Sequence, residues 1–553
     1  MRLPARFSKL GMRPVDGKPR TEGEKLVELR ARVEDTAAFA DAQRDDFLYF
    51  REYHDGDGQR DKFLDELDEE LQSEFIVTNY TRALIAHLVS IISRSLGTWF
   101  VVAADESMKP GADRLQTHLQ ALRWRDNHAV HIREWLEDAA VCGVGWLRPY
   151  YDRDEERVRL EALDAMTVYV EHGAARVDEA EFIAIRHLYN EAYAQEEWEQ
   201  LDLEAAGRAT DQDRRHRDDP QGPVVHEQIE VWEVYHEFGR KLTIYSGDQV
   251  LWTGAAPLGD TGYPLFPFTF WPSRSSVYGY SLIKDIEYLQ DMVNKARTRL
   301  AIWQRFATNP MWWTDDPSAQ IVNEPGGMVQ TMPGRQAKLQ NPPEMPAELF
   351  GLSDMGERSL DTVTGIQEIQ RGIKPKGVTA GVALDSLLQA SEQRMASPLD
   401  GATAVLTEVG RWLVGLIQLY YRAQTSVPMM RDGDPALATI YPQDLAQRVP
   451  RRREDGVTEI TLKPNEFHVM MQPAGDLPMS PAAKRQEAYE LFDRGAIDEI
   501  ALLEVVQFEG RDEVIQRKAA QLQAMMQGQL AGVRDGREMA QAQAQAQQMQ
   551  MLG

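Results

Sequence analysis

Residues 266–300, FPFTFWPSRSSVYGYSLIKDIEYLQDMVNKARTRL, contain the change of pattern that decides the fold. The first half is dense in proline and aromatic residues, and because proline lacks the N–H that a central strand needs, this half predicts an extended entry. From Ser281 to Phe306 there is no glycine or proline, and apolar residues recur at helical spacing. At 1.5 Å per residue such a helix spans about 40 Å. The segment therefore predicts an extended entry into one long amphipathic helix.

Two further long helices are predicted after the first. Residues 309–346 hold many prolines and glycines around a Met-Trp-Trp core, which indicates a compact knob. Residues 347–369 are helical, the loop RGIKPKGVTAG follows at 371–381, and a third helix is expected at 382–423. Pro398 lies inside the third helix and predicts a kink.

On the N-terminal side the pattern changes from helices to strands. Helical spacing is clear at 24–50, 75–96 and 129–141. Short β-type runs follow, at 144–151, 157–163, 182–189, 228–238 and 241–245, and another lies at 459–471. Residues 481–529 are again helical, and the end is a Gln/Ala/Met tail for which a helical barrel and disorder are both open. The fold class expected is mainly α with a smaller β content, that is, α+β.

The composition excludes several classes of protein. The chain has 61 Lys and Arg against 87 Asp and Glu, a formal charge of −26, which is the opposite of a protein that grips phosphates. The single cysteine, Cys142, excludes an internal disulfide and a multi-cysteine zinc site. No apolar run of signal-peptide or membrane-spanning length is present, and we expect no membrane partner.

Two patterns suggest metal sites and neither is convincing. Asp55, Asp57, Asp61 and Glu66 fall at calcium-loop offsets, but Arg60 occupies the position where the turn needs glycine. A helix carries His128, His131 and Glu134 on one face without a third strong ligand nearby, which indicates surface chemistry. We therefore expect no metal and no cofactor.

Five segments, the first of them in two parts, together resemble the portal proteins of short-tailed bacteriophages, in the order in which that family has them. They are FLYFREYHDGDG at 47–58, FIVTNYTRALIAHLVSIISRSLGTWFVVAAD at 75–105, GVGWLRPYYDRDEERVRLEALDAMTVYVEHGA at 143–174, the segment 266–300 quoted above, TGIQEIQRGIKPKGVTAGVALDSLLQAS at 364–391, and DLPMSPAAKRQEAYELFDRGAIDEIALLEVVQFEG at 476–510. One departure is Ala165, which follows Asp164 where the family usually has proline.

The resemblance implies a portal fold with wing, stem, clip and crown regions. Its regions are an N-terminal arm and first helix (1–40), the wing (41–275), stem helix 1 (276–307), the clip (308–346), stem helix 2 (347–370), the tunnel loop (371–381), a long kinked wing helix with a β segment (382–475), and a helical crown with the tail (476–553). The two stem helices are expected to be antiparallel neighbours.

The resemblance also implies a function. A portal protein forms a ring, commonly a dodecamer, at one capsid vertex, and the ring is the conduit through which double-stranded DNA is packaged and ejected. The implied partners are further copies of the chain, the DNA, the large subunit of terminase, the head–tail adaptor, and the major capsid and scaffolding proteins. The implied location is the virion, with assembly in the host cytoplasm. No enzyme activity and no catalytic residue are implied.

Candidate site residues follow from these regions. Arg371, Lys374 and Lys376 lie in the tunnel loop and could touch passing phosphates, although an ordinary exposed loop explains them as well. Met311, Trp312 and Trp313 open the clip as candidate anchors for the terminase and the adaptor, or as a small core of the clip itself.

The charges of the stem and of the whole chain have more than one explanation. The first stem helix carries Lys284, Lys295, Arg297, Arg299 and Arg305, which we expect to pair with Asp285, Glu287 and Asp291 of the same or a neighbouring subunit rather than with DNA. The excess of acid could repel DNA from the channel wall or simply keep a large assembly soluble.

Two rival functions belong to other classes. A packaging ATPase needs a phosphate-binding loop, but in Gly11–Lys18 Asp16 stands where glycine is required and Pro19 where Ser or Thr is required. A helical scaffold or adaptor that never surrounds DNA is also compatible with long helices and a Gln-rich tail. Electron microscopy separates that rival from a portal, because only a portal forms a ring with an axial hole.

Overall fold

The computed structural model describes residues 24–64, 67, 71–208, 228–308, 311–320, 329–340, 348–364, 381–431, 434–452 and 458–472, with single residues at 489, 492, 494 and 502. The chain divides into two units, residues 1–475 and 476–553. Nearly all described residues belong to the first unit. The N-terminal arm to residue 23, most of the predicted tunnel loop and most of the predicted crown lie outside the described residues.

The described helices include three long ones, and their bounds follow in chain order. They are α1 (Glu24–Asp55), α2 (Asp57–Leu64), α3 (Tyr80–Ser95), α4 (Lys109–Arg125), α5 (His128–Val141), α6 (Glu191–Glu197), α7 (Leu282–Thr308), α8 (Glu348–Thr364), α9 (Gly381–Tyr420) and α10 (Pro442–Leu445).

The described strands are short, and most of them pair antiparallel with a strand that is next to them in the sequence. They are β1 (Thr98–Ala103), β2 (Gly145–Asp152), β3 (Arg157–Leu163), β4 (Val168–Val170), β5 (Ile183–Asn190), β6 (Gly207–Arg208), β7 (Gln228–His236), β8 (Lys241–Ser246), β9 (Gln249–Ala255), β10 (Phe266–Phe268), β11 (Met311–Thr314), β12 (Ala337–Gln340), β13 (Thr425–Arg431), β14 (Asp434–Ile440), β15 (Ala446–Arg452), β16 (Thr458–Pro464) and β17 (Phe467–Gln472). The mixture of dominant helices and smaller sheets confirms the expected α+β class.

The largest sheet is covered on both faces. It has six strands, in the order β4-β5-β7-β8-β9 with β6 paired to β7. One face contributes to the main core, and the other packs under α1, where Leu29 and Val33 meet Phe182 and Trp232. Burial of a large aromatic side chain contributes about 1.5–3 kcal/mol, so this second cluster fixes the N-terminal helix to the sheet.

The second sheet is built around a glycine that no other residue can replace. It has the order β10-β2-β3, and α5 packs across it. A Cβ atom on Gly145 would lie 1.9 Å from the backbone oxygen of Trp135, so the helix approaches the strand only because Gly145 has no side chain. The proline-rich segment contributes β10 at the edge of this sheet, where Pro267 is tolerated, and not a central strand.

Two distant parts of the chain form one strand pair. Strand β1 pairs with β17 over the full length of both, from Thr98 opposite Gln472 to Ala103 opposite Phe467. The inner face of the pair carries Trp99, whose indole Nε1–H donates to the backbone oxygen of Leu406 in α9 over 2.7 Å. The main core therefore contains residues that precede α7 in the sequence and residues that follow α8.

Several sequence-based boundaries needed correction. The β-type stretch predicted at 459–471 is two strands, β16 and β17, and they belong to different sheets. The short helix α6 has only 7 residues, and Trp198 and Leu201 beyond it are buried. The long third helix is present with Pro398 inside it.

Candidate functional site

The long helix α7 begins at a capped, buried N-terminus. The hydroxyl of Ser281 accepts the N–H of Ile283 over 3.1 Å. From there Ile283, Ile286 and Val293 are fully buried, as the helical spacing predicted. The first half of α7 therefore lies in the core, and its last two turns, with Arg299 and Gln304 exposed, leave the core.

Helices α7 and α8 pack against each other in opposite directions. Arg297, just past the middle of α7, donates to Glu357 over 2.7 Å and to Ser353 over 3.3 Å, both near the middle of α8. Leu282 at the start of α7 and Val363 at the end of α8 line the same apolar cavity of about 150 Å³. The two predicted stem helices are thus antiparallel neighbours, as the sequence indicated.

The segment between these helices forms a β-hairpin. Strand β11 pairs with β12 so that Met311 lies opposite Gln340 and Trp313 opposite Lys338. Among its described residues, Asp316 holds the turn by accepting the N–H groups of Ser318 over 2.9 Å and Met332 over 2.6 Å. In the described part of this segment, the hydrogen bonds of Thr314, Asp315, Thr331 and Arg335 also join one part of the hairpin to another.

The predicted anchor residues of the clip lie on one strand of this hairpin. Trp313 is 57% exposed and Met332 is 59% exposed. The backbones of Met311 and Trp312 belong to β11, while their side chains lie outside the described residues. An exposed tryptophan is typical of an interface residue, and Trp313 itself is not buried within the subunit. Arg371, Lys374 and Lys376 of the tunnel loop lie outside the described residues.

The charged residues of α7 have partners that the sequence did not predict. Lys62 of α2 donates to Glu287 over 2.5 Å and to Asp291 over 2.7 Å, and Tyr53 also donates to Asp291. Burial alone would lower the pKa of Lys62, but the two carboxylates outweigh it and raise the pKa above its usual value. We expected Glu287 and Asp291 to pair with basic residues of α7 from the same or a neighbouring subunit, and the structure adds a partner outside that set, Lys62 of the N-terminal helices.

Three further basic residues of α7 contact other segments of the chain. Arg297 pairs with Glu357 of α8, and Arg305 lies 3.6 Å from Glu74. The ammonium group of Lys295 lies 4.1 Å from the ring centroid of Phe63. The charges of α7 thus connect the helix to the N-terminal segment and to α8.

A buried charge network joins the two main sheets, and sequence reasoning missed it. Arg148 of β2 donates to Glu233 of β7 over 2.8 Å, and His187 and Tyr235 also contact Glu233 at 3.0 and 2.7 Å. Burial would raise the pKa of Glu233, yet Arg148, His187 and Tyr235 lower it to about 2. A single charged residue inside an apolar strand pattern, as Arg148 is in GWLRPYYD, is the signal that could have located the pair.

The candidate metal residues do not come together. His131 contacts Glu134 at 3.1 Å on the surface, but His128 is 1% exposed and lies against the ring of Trp99. The assignment of His128 to the surface was wrong, and burial lowers its pKa to about 3. In the described part of the chain no group of His, Cys, Asp or Glu is arranged to hold a metal. The degenerate phosphate-loop pattern at Gly11–Lys18 lies outside that part.

No described helix has the length and apolar character that crossing a bilayer requires. The longest, α9, has 40 residues but carries polar and charged positions throughout.

Comparisons with known proteins place the chain in a family. No curated relative matches it. Among solved structures, a chain of the virion of a native gene transfer agent particle matches with 11% identity and a TM-score of 0.38, over 82% of this chain and 99% of that one. A chain of the neck of a native gene transfer agent particle, computed with C12 symmetry, matches with 12% identity and a TM-score of 0.38, over 78% of this chain and 91% of that one.

Similarities at this TM-score carry no structural argument, whereas the match to a family of sequences is nearly complete. The model of that family, described as phage P22-like portal protein, covers residues 30–552. It spans all of the segments whose order suggested a portal, including the antiparallel helices α7 and α8 and the hairpin between them. The chain therefore belongs to the phage P22-like portal protein family.

Proposed function

We propose that this chain forms a closed homomeric ring, a dodecamer, at one vertex of a phage capsid, and that double-stranded DNA passes through the ring during packaging and ejection. The observation that carries the proposal is the antiparallel pair α7–α8, which joins an exposed hairpin to the core. In this arrangement the core end of the helix pair is packed inside the subunit, and the hairpin end is exposed and available to partner proteins. The role is structural and involves no catalysis and no cofactor.

Exposed apolar side chains on the helix pair support assembly with further copies. Tyr288 of α7 is 79% exposed, and Met355 and Val363 of α8 are 53% and 50% exposed. Large apolar residues grouped on two adjacent helices are typical of surfaces that another chain covers. In a ring, each copy would cover this surface of its neighbour, because a closed ring repeats one head-to-tail contact.

The charge of the chain suits a conduit. With a formal charge of −26 per copy, a ring would carry a strong excess of acid. A protein that neutralises six to ten phosphates loses about 10³–10⁵ in affinity between 50 and 200 mM salt, which measures how tightly a basic groove holds DNA. An acidic conduit avoids that grip, so DNA slides while a separate motor supplies the work.

The hairpin β11–β12 is the proposed docking platform. Its exposed Trp313 and Met332 would meet the large subunit of terminase during packaging and the head–tail adaptor afterwards. The major capsid and scaffolding proteins are the remaining proposed partners. The proposed location is the virion, after assembly in the host cytoplasm.

Two experiments test the function. Electron microscopy of the purified full-length protein should show rings with an axial hole, and particles without a hole would favour a scaffold or adaptor instead. Replacing Arg371, Lys374 and Lys376 together by Ala should leave the rings intact, because exposed loop changes usually cost less than about 0.5 kcal/mol. The same change should reduce DNA packaging in a salt-dependent way. Normal packaging at low and high salt would remove these residues from the DNA path.

A further inference from the structure

Three side chains of α7 hold the backbone of a separate, extended segment. The side chains are Gln290, Asn294 and Thr298, here called the polar stripe, and the segment is residues 75–80, here called the strap. Three backbone N–H groups of the strap donate to the stripe over the same distance of 3.1 Å: Ile76 to Thr298 Oγ1, Thr78 to Asn294 Oδ1, and Tyr80 to Gln290 Oε1. The strap therefore runs antiparallel to α7.

The spacing of donors and acceptors matches. The stripe residues are four apart, which on a helix is a rise of about 6 Å. The donors of the strap are two apart, which in extended chain is about 6.6 Å. Successive turns of α7 therefore present one acceptor to every second backbone N–H of the strap.

The other polar atoms of the contact are also satisfied. Gln290 donates back to the carbonyl oxygen of Thr78 over 2.7 Å, and Asn294 donates to Gln59 of α2 over 2.9 Å. Gln59 in turn donates to Asn79 over 3.2 Å. Gln59, Gln290 and Asn294 are all fully buried. Buried amides that are satisfied in only one arrangement specify that arrangement.

The stripe permits one register only. One turn before Gln290 stands Ile286, and one turn after Thr298 stands Ile302. If the strap slipped by one turn in either direction, a strap N–H would face an isoleucine and lose its acceptor. Such an unsatisfied N–H costs about 1–3 kcal/mol when buried. The strap is consequently either seated in this register or detached.

Detachment exposes mainly polar atoms of the stripe, and it also separates the ring of Phe75 from that of Phe63, whose centroids lie 6.1 Å apart. Every residue of the strap is at least partly exposed, and Ile76 is 39% exposed. The stripe beneath it consists of two amides and a hydroxyl, which water can hydrate. Each hydrogen bond contributes only about 0.5–1.5 kcal/mol net, because water replaces it on opening. By contrast, Ile283 and Ile286, earlier on α7, are fully buried apolar side chains, and water cannot replace their packing contacts.

We propose that the strap is a releasable fastener between α7 and the N-terminal helices, which fixes the position of α7 when seated and opens locally without unfolding the core. This inference concerns the isolated subunit and does not depend on a ring or on DNA. It assigns to Gln290, Asn294 and Thr298 a positioning role for α7.

Hydrogen–deuterium exchange of the full-length protein tests the proposal. The amides of Ile76 and Thr78 should exchange at least about tenfold faster than those of the central strand β5, because local opening exposes the first set and only larger unfolding exposes the second. Equal protection of both sets would show that the strap is part of the cooperative core, and the proposal would be wrong.

Substitutions of the stripe give a second, independent test. Thr298→Val keeps the shape and removes the acceptor, so the exchange of the strap should rise about five- to tenfold while β5 is unchanged. Thr298→Ser should restore the wild-type rate. The matched control is Thr362→Val on the exposed face of α8, which should leave the strap unaffected. An unchanged strap in Thr298→Val, or an equal rise in β5, would contradict the proposal.

Discussion

Replacing Glu233 by Gln should destabilise the protein strongly, because it removes the charge that compensates a buried guanidinium. Glu233 has no exposed surface and Arg148 is 2% exposed, with 2.8 Å between their nearest atoms. Removing one partner of a buried pair typically costs about 3–5 kcal/mol. Arg148 keeps a second partner, the less buried Glu161, and we therefore expect a loss at the lower end, about 3 kcal/mol.

The pKa of Glu233 leads to a similar magnitude. A carboxyl whose pKa falls from the ordinary 4.5 to about 2 on folding contributes on the order of 3 kcal/mol at neutral pH. Since the folded pKa is the lower one, this contribution is complete above about pH 5 and is lost as the pH falls from about 4.5 towards 2. The gap between wild type and Glu233→Gln should therefore shrink as the pH falls below 4.5.

The assay is denaturant unfolding, followed by tryptophan fluorescence at several pH values. The control is Glu408→Gln, which removes the same charge from an exposed pair with Arg411 and should cost less than about 0.5 kcal/mol. Equal unfolding midpoints for Glu233→Gln and Glu408→Gln at pH 7 would refute the argument. So would a gap that grows as the pH falls.

Two further predictions concern packing and docking. Gly145→Ala should lower the free energy of unfolding by about 3 kcal/mol or more, because the new Cβ would overlap the backbone of Trp135. Its control, Gly351→Ala in α8, has open space around the new Cβ and should raise the free energy of unfolding by about 0.5–1 kcal/mol. Thermal unfolding measures both changes. Trp313→Ala should leave thermal unfolding unchanged and weaken binding of terminase about tenfold or more in a pull-down or interferometry assay. Its matched control, Trp124→Ala, removes an equally exposed tryptophan from α4 and should leave that binding unchanged.

The parts of the fold that were predictable are those with a long, regular pattern. Helix α7 was expected at 281–306 and spans Leu282–Thr308, because no glycine or proline interrupts its helical spacing. Strand β3 was predicted with both of its ends. Such segments form their element whatever their neighbours are, so periodicity is enough to find them.

The hairpins near residue 440 were not predicted, for a physical reason. Strands β13 and β15 contain Pro428 and Pro450, which argue against a strand when the sequence is considered alone. Each belongs to a two-stranded sheet and has a free edge, so the missing N–H of proline has no partner to lose.

The contacts of α7 could not be predicted, because their two halves are far apart in the sequence. Gln290, Asn294 and Thr298 are recognisable as polar interruptions of an apolar pattern, but their partners lie more than two hundred residues away. Lys62, which takes both Glu287 and Asp291, likewise gives no local signal. A pattern shows that a residue is unusual, and only the tertiary structure shows which partner makes it stable.

The pairing of β1 with β17 has a consequence for how these proteins can diversify. The chain between these two strands contains α7, the hairpin and α8. The hairpin is therefore an insertion between two parts of the sequence that form one core. The entropy of closing such a loop rises only with the logarithm of its length, and doubling the length costs only about 0.6 kcal/mol. Residues can thus be added or removed between β11 and β12 at little thermodynamic cost to the core. The length and sequence of the hairpin tip can therefore vary among related chains while the remainder of the subunit stays the same.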